Sequence, residues 1–296
     1  MVAAVPMAAR GEVRLCGAVD DDEVARGGIR RRTLLALAGT ALLAACTKIS
    51  SAPKGDDVTT VPYGNDPAQF FEISRPAAAS KGVVVVIHGG FWQSQYDLSL
   101  GRPLATSLAT RGWTAVNLEY RSLGNGGGWP TTFDDVAAGI DALADVEDLD
   151  TSTVITLGHS AGGHLAVWAA GRAAPVVPVT AAVPQAGVLN FSLAIQENLG
   201  GGAVEAFMGG APDTDDLRAR YRDGDPLAQV PLDVPVRCIH GRDDGTVPPN
   251  QSNSYVEAAT AAGADATVTM VDGDHFTVID PGSEAWRTTL KVLDQL

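Results

Sequence analysis

Apolar residues along this chain fall into short β-branched runs separated by longer stretches with helical spacing. "VVVVIH" (Val83–His88) is continuous and apolar, the pattern of a strand buried on both faces. The spacing then predicts a helix over about Leu98–Arg111 and a strand in "TAVNLEY". A helix over Phe133–Val146 precedes a strand over Thr153–Leu157, and another helix runs from Ala161 to about Arg172. "TAAVPQA" (Thr180–Ala186), "VRCIH" (Val236–His240) and "ATVTMV" (Ala266–Val271) read as further strands, and a closing helix begins near Ser283. This alternation predicts an α/β protein with a mostly parallel central sheet covered by helices on both faces. Between Gly187 and Pro235 the rhythm breaks. "LGGGAVEAFMGG" and "DDLRARYRDGDPL" read as an insertion with one or two short helices, a partial cap. "NGGG" (Asn125–Gly128) lacks the order of a phosphate loop and reads as a flexible turn.

Upstream of residue 58 the pattern is of another kind. Arg30, Arg31 and Arg32 precede an apolar run from Leu34 to Ala45, which suits a signal-peptide core and is too short to span a bilayer. The run ends in "LLAAC" (Leu42–Cys46), which resembles the lipobox of bacterial lipoproteins. That resemblance implies lipidation of Cys46 and a protein anchored by lipid alone at the extracytoplasmic face of the bacterial cell membrane. The arginines followed by Thr33, Leu34 and Leu35 resemble a twin-arginine export signal. The expected organisation is a signal peptide over 1–45, a polar lipidated tether over 46–57 and one catalytic domain over 58–296. Asp20, Asp21, Asp22 and Glu23 do not suit the start of a signal peptide, and a start codon placed too far upstream would account for them.

Charge and cysteines narrow the picture. A net charge of −14 argues against nucleic acid as a partner. Loss of residues 1–45 removes six arginines and five acids and takes the charge to −15. Of the three cysteines, Cys16 would be removed and Cys46 lipidated, leaving Cys238 as a buried strand residue without a disulfide partner.

The candidate chemistry centres on "VITLGHSAGGHL" (Val154–Leu165), where Ser160 stands between Gly158 and Gly162. G-x-S-x-G between a strand and a helix is the pattern of a nucleophile elbow, a sharp turn that thrusts the serine out of the backbone. A serine hydroxyl needs a base, and the base needs an orienting acid. On a parallel sheet all three belong beyond the carboxyl ends of strands. Of the five histidines, His275 follows the last strand and fits the chain order Ser…Asp…His. His159 is expected to diverge from the adjacent serine, and His164 to pack or face solvent. The acid should follow the preceding strand, where "HGRDDGTVP" offers Asp243 and Asp244. The stretch resembles the H-G-x-x-D-x-x-V-P pattern of α/β-hydrolases, and that resemblance, through His240–Gly241 and Val247–Pro248, implies Asp244, with Asp243 the alternative. Asp272 and Asp274 read as turn formers. Upstream, "IHGGFW" follows a strand, where a glycine-rich loop would supply oxyanion donors. Gly90 and Phe91, shaped by Gly89, are the candidates there, together with the N–H of Ala161 after the nucleophile.

With these residues in place, the segment from about 58 to 296 resembles the α/β-hydrolases. "HGGFW" is similar to the H-G-G-x-W motif of the kynurenine formamidase and feruloyl-esterase-like branch. "GHSAGGHLA" is similar to the elbow of that branch and of hormone-sensitive-lipase-type esterases, and "NLEYR…WPTTFDDV" resembles their Y-R pair and acidic helix start. "HGGF" in place of "HGGG" favours the formamidase-like branch. The resemblance implies an α/β-hydrolase fold and a serine esterase acting on a small-molecule ester through Ser160, His275 and Asp244, with no cofactor or metal. An amidase of the formylkynurenine type, a prolyl-oligopeptidase-type exopeptidase and a catalytically silent binding protein are the alternatives. The sequence carries no signal of oligomeric state.

Overall fold

The computed structural model describes residues 58–296. The expected signal segment, the tether and Cys46 lie outside the described residues. Eight strands make one sheet: β1 (Val58–Pro62), β2 (Phe70–Ser74), β3 (Val83–Ile87), β4 (Thr114–Leu118), β5 (Val154–His159), β6 (Ala181–Gln185), β7 (Val236–Gly241) and β8 (Ala266–Val271). Their order is β1-β2-β4-β3-β5-β6-β7-β8. β1 and β2 pair antiparallel, as do β2 and β4, and every other pairing is parallel.

The inner strands β3, β4, β5 and β6 are buried on both faces, whereas the edge strand β8 is only partly buried. Val83, Val85 and Ile87 of β3 look one way, into a core with α2 (Thr131–Asp141) and α3 (Ala161–Ala170). Val84 and Val86 look the other way, toward α1 (Arg102–Thr110) and α8 (Glu284–Leu293). Burial of each such side chain contributes about 1.5–3 kcal/mol. On α8, Ala285, Trp286, Thr289, Leu290 and Leu293 form the buried stripe, and Ser283 caps the helix by accepting from the Trp286 N–H. The helix α7 (Asn250–Ala261) packs through Tyr255 and Ala259 beside Cys238, whose thiol burial pushes up to about 12.

Three features depart from the sequence expectations. β1 and β2 form an antiparallel hairpin at the sheet edge that the sequence reading left out. β1 is exposed along nearly its whole length, so its pattern carries no apolar face. Two of the expected helices are shorter α-helices joined to 3-10 turns, at Leu98–Leu100 and at Ala142–Asp145. The 187–235 segment holds three α-helices where one or two were expected: α4 (Phe191–Gln196), α5 (Ala203–Met208) and α6 (Asp215–Gly224). Phe191, Phe207 and Met208 are fully buried in the same core as Trp92 and Phe133.

Candidate active site

β5 ends at His159 and α3 begins at Ala161, so Ser160 alone makes the turn. Its backbone sits at φ 56°, ψ −119°, a conformation that costs a non-glycine residue on the order of 1–3 kcal/mol. The surroundings hold it there. The Ser160 N–H donates to the Gln185 carbonyl (2.9 Å), and the Ser160 carbonyl accepts from the His164 N–H (3.1 Å). The flanking glycines are required by close approach. A Cβ on Gly158 would lie 2.0 Å from the Gly162 oxygen, and one on Gly162 would lie 2.1 Å from the Ile87 oxygen.

The loop after β3 closes against this turn. A Cβ on Gly89 would lie 2.7 Å from the His159 oxygen and 3.1 Å from the Ser160 Cβ. Gly90, Phe91 and Trp92 are three successive residues with positive φ (115°, 52° and 55°). Among the described residues, the N–H groups of Gly90, Phe91 and Ala161 donate to no protein acceptor. Ala161 stands at the N-terminus of α3, where backbone N–H groups have no partner within the helix.

The loop is anchored at both ends by side chains that the sequence reading did not assign. At one end, His88 faces its neighbour's carbonyl with Nδ1 (2.9 Å to Gly89) and Glu119 with Nε2 (3.2 Å). The Tyr120 hydroxyl donates to the His88 carbonyl (2.8 Å), and the two rings stack at 4.4 Å. At the other end, the Trp92 indole N–H donates to His164 Nδ1 (3.2 Å). His164 Nε2 therefore carries its own proton and donates to the Gly224 carbonyl (2.8 Å). His164 packs rather than facing solvent: it is fully buried, and burial pushes its pKa down to about 3, keeping it neutral. Phe207 of α5 stacks on Trp92 at 4.5 Å, and Phe91 packs against Gly200. The Y-R pair of the sequence has a role of the same kind. Arg121 donates to both carboxylate oxygens of Asp135 (2.8 and 2.6 Å), which tie the end of β4 to α2.

The loops after β7 and β8 bring an acid and a base together. His275 Nδ1 lies 2.7 Å from Asp244 Oδ2. A carboxylate only accepts, so Nδ1 carries a proton, and in the neutral ring Nε2 is then the acceptor. The other oxygen of Asp244 accepts from the Thr246 and Val247 N–H groups (2.9 and 2.8 Å). Burial of Asp244 favours its neutral form. The neighbouring His240 ring, 3.4 Å away, with the hydrogen bonds from His275 and the Val247 N–H, outweighs that and holds the carboxyl well below the usual carboxylate range. Asp243, by contrast, is exposed and meets the base loop only through its backbone N–H, which donates to the Gly273 carbonyl (3.0 Å). Asp274 organises a turn, its Oδ1 accepting from the Phe276 and Thr277 N–H groups.

His275 reaches the elbow through His159. The two rings pack at 4.5 Å, and His159 Nε2 donates to the His275 carbonyl (2.8 Å). The His159 ring thus lies against the base loop, while its Nδ1 and the Ser160 Cβ both border Gly89, each 3.1 Å from where a Cβ on that glycine would stand. Burial, with the nearby His275, pushes the His159 pKa down to about 3. No hydrogen bond joins Ser160 to His275 among the described residues. Ser160 and His275 are 3% and 4% exposed, so both sit in a largely dry environment. Among the described residues, no group of three or more His, Cys, Asp or Glu is placed to hold a metal ion, and no helix is long and apolar enough to cross a membrane.

Comparisons with known proteins agree with this architecture. A family model described as BD-FAE matches residues 71–258, more than half of the chain. The chain is similar to Esterase LipC of Mycobacterium tuberculosis, with 28% identity over 233 residues, 67% of this chain and 54% of that protein. It is also similar to the Probable carboxylic ester hydrolase LipM of the same organism, with 29% identity over 192 residues, 59% of this chain and 44% of that protein. The chain thus spans about half the length of the curated relatives it matches. Among solved structures, Esterase B from Lactobacillus Rhamnosis superposes with a TM-score of 0.69 at 23% identity, covering 81% of this chain and 85% of that one. The butyrate-bound esterase Est2 of Thermogutta terrifontis gives 0.65 at 21% identity, covering 82% and 94%. At these identities the likeness is one of fold, and the fold is that of the α/β-hydrolases.

Proposed function

The chain belongs to the BD-FAE family, and from that premise we propose that it is a serine hydrolase of carboxylic esters. The observation that carries the reading is the Asp244–His275 pair, 2.7 Å apart and buried, packed on the residue that precedes a strained Ser160. Ser160 Oγ attacks the ester carbonyl carbon while His275 Nε2 takes the hydroxyl proton. Asp244 keeps the imidazole in the tautomer with a free Nε2 and stabilises the imidazolium that forms. The carbonyl oxygen becomes an oxyanion, received by the N–H groups of Gly90, Phe91 and Ala161. Each such donor supplies about 3–4 kcal/mol of transition-state stabilisation. Collapse of the tetrahedral adduct breaks the bond to the alcohol oxygen, which takes the proton from His275. Water then attacks the acyl-enzyme through the same base, releasing the carboxylic acid and restoring Ser160. The named activities of the curated relatives favour esters over amides as substrates.

The location belongs to the same proposal. The order of basic cluster, apolar run and "LLAAC" supports export and lipid attachment at Cys46. Two acyl chains hold a protein stably on a membrane, because each buried methylene adds about 0.8 kcal/mol. Cys46→Ala should then leave the protein soluble or unprocessed in a membrane fractionation, and an unchanged membrane fraction would rule the anchor out.

A fluorophosphonate probe tests the mechanism. It should label Ser160 in the wild-type protein, fail on Ser160→Ala and react far more slowly with His275→Ala. Labelling that persists in Ser160→Ala removes the hydrolase reading. A parallel screen of short and long p-nitrophenyl esters beside N-formylkynurenine separates ester from amide cleavage, and turnover of the amide alone would overturn the ester assignment.

A further inference from the structure

We propose that His159 is a positioning residue for the general base, holding the backbone of His275 while Asp244 holds its ring. The proposal rests on the hydrolase reading above. β8 lies three strands from β5 in the sheet, so their ends stand roughly 14 Å apart at ordinary strand spacing. The loop after β8 must therefore turn back across the sheet to bring His275 to the elbow.

Most of its attachments hold it near β7. The Arg242 N–H donates to the Val271 carbonyl (2.9 Å) and the Asp243 N–H to the Gly273 carbonyl (3.0 Å). Gly241 lies directly beneath it, where a Cβ would meet the Gly273 oxygen at 2.5 Å. Beyond the base, Gln185 at the end of β6 donates to the Val278 carbonyl (2.6 Å). The bond from His159 Nε2 to the His275 carbonyl (2.8 Å) acts on the base residue itself, from the position next to Ser160.

The two holds on His275 are complementary. Asp244 fixes ring rotation through Nδ1, and it would go on doing so if the backbone moved toward β7. His159 prevents that movement. A carbonyl only accepts, so His159 Nε2 must be the protonated nitrogen, and the buried ring serves as a neutral donor. Without that donor the backbone of His275 is free to shift, and Nε2 with it. A displacement of about 1 Å in a reacting group costs on the order of 100-fold in rate.

A pair of substitutions separates donation from packing. His159→Gln keeps an N–H near the same place and loses the ring; His159→Phe keeps the ring and loses the donor. The readouts are kcat, KM and the rate of fluorophosphonate labelling, with melting temperature as the check on folding. His159→Phe should lower kcat and labelling on the order of 10- to 100-fold, with KM changed by no more than about threefold. His159→Gln should recover most of that loss. An unimpaired Phe variant, or equal impairment of the two, overturns the proposal. Wild-type protein that resists labelling would sink the hydrolase reading and this proposal with it. Labelled wild type beside an equally reactive Phe variant sinks this proposal alone.

Discussion

The elbow and the segment from Gly187 to Pro235 achieve order by different means. At the elbow the constraint is local and comes from small residues. Gly158, Gly162 and Gly163 all lie where a Cβ would strike backbone atoms within 3.0 Å, which no side-chain movement can relieve. In the 187–235 segment the constraint comes from distant partners. Phe191 and Phe207 surround His164, whose Nε2 donates to Gly224, and Phe207 stacks on Trp92. The surface of α6 is laced with exposed pairs, Arg218–Asp215 and Arg220–Asp216. Such pairs contribute only about 0.3–0.5 kcal/mol each, so the buried aromatic contacts carry the segment. The lesson is that the backbone at the candidate nucleophile is set by close steric approach at the carboxyl end of a central strand, whereas the covering segment depends on the packing it finds.

The largest expected effect tests the side at the carboxyl ends of the strands. Asp244→Asn should lower kcat by about 10²- to 10⁴-fold with the melting temperature little changed, because the imidazole loses its tautomer and its counter-charge. Asp243→Asn should change kcat by less than about threefold, since its side chain is exposed and makes no contact with the base. Steady-state kinetics on both variants decide between them, and the reverse ranking would break the assignment of the acid.

A second prediction probes the segment. Phe207→Ala removes a fully buried ring stacked on Trp92 and should cost about 3–5 kcal/mol by chemical denaturation. Because Trp92 closes the donor loop, kcat should also fall. Loss of stability with kcat intact would show that the segment and the donor loop are energetically separate.

The smallest effect concerns pH. Asp225 lies at the joint between α6 and the following turn, accepting from the Leu227 and Phe191 N–H groups (3.1 and 3.3 Å). Burial pushes its carboxyl up to about 6 despite those bonds. The folded state therefore holds this proton more tightly than the unfolded chain, whose carboxyl titrates near pH 4. The stabilisation from this group is complete below about pH 4 and is lost as pH rises through about 6. Melting curves of Asp225→Asn should show a flatter profile than wild type across that window, and an unchanged profile would remove the role assigned to the carboxyl.

Much of the fold was legible because it rests on short-range chemistry. A strand buried on both faces must be apolar throughout, so β3 stood out; β8, a partly buried edge strand, was read with its observed bounds from its β-branched pattern. A serine turned out at a strand end needs glycines beside it, so Ser160 was readable from "GHSAG". The resemblance of "HGRDDGTVP" to a family pattern pointed to Asp244, the carboxylate that stands against His275. What the sequence could not supply was long-range. β1 has an edge pattern with no buried face, and its place comes only from pairing with β2. The roles of His88, His159 and His164 depend on Glu119, on the His275 carbonyl and on Gly224, which lie 31, 116 and 60 residues away along the chain. One histidine looks like another in sequence, because its two nitrogens take their meaning from whatever acceptors and donors the folded chain brings to them. Residue type and local spacing determined the parallel strands, the elbow and the candidate nucleophile. Tertiary structure alone decided which polar groups hold them in register, because hydrogen bonds are directional and only the assembled fold sets their distances.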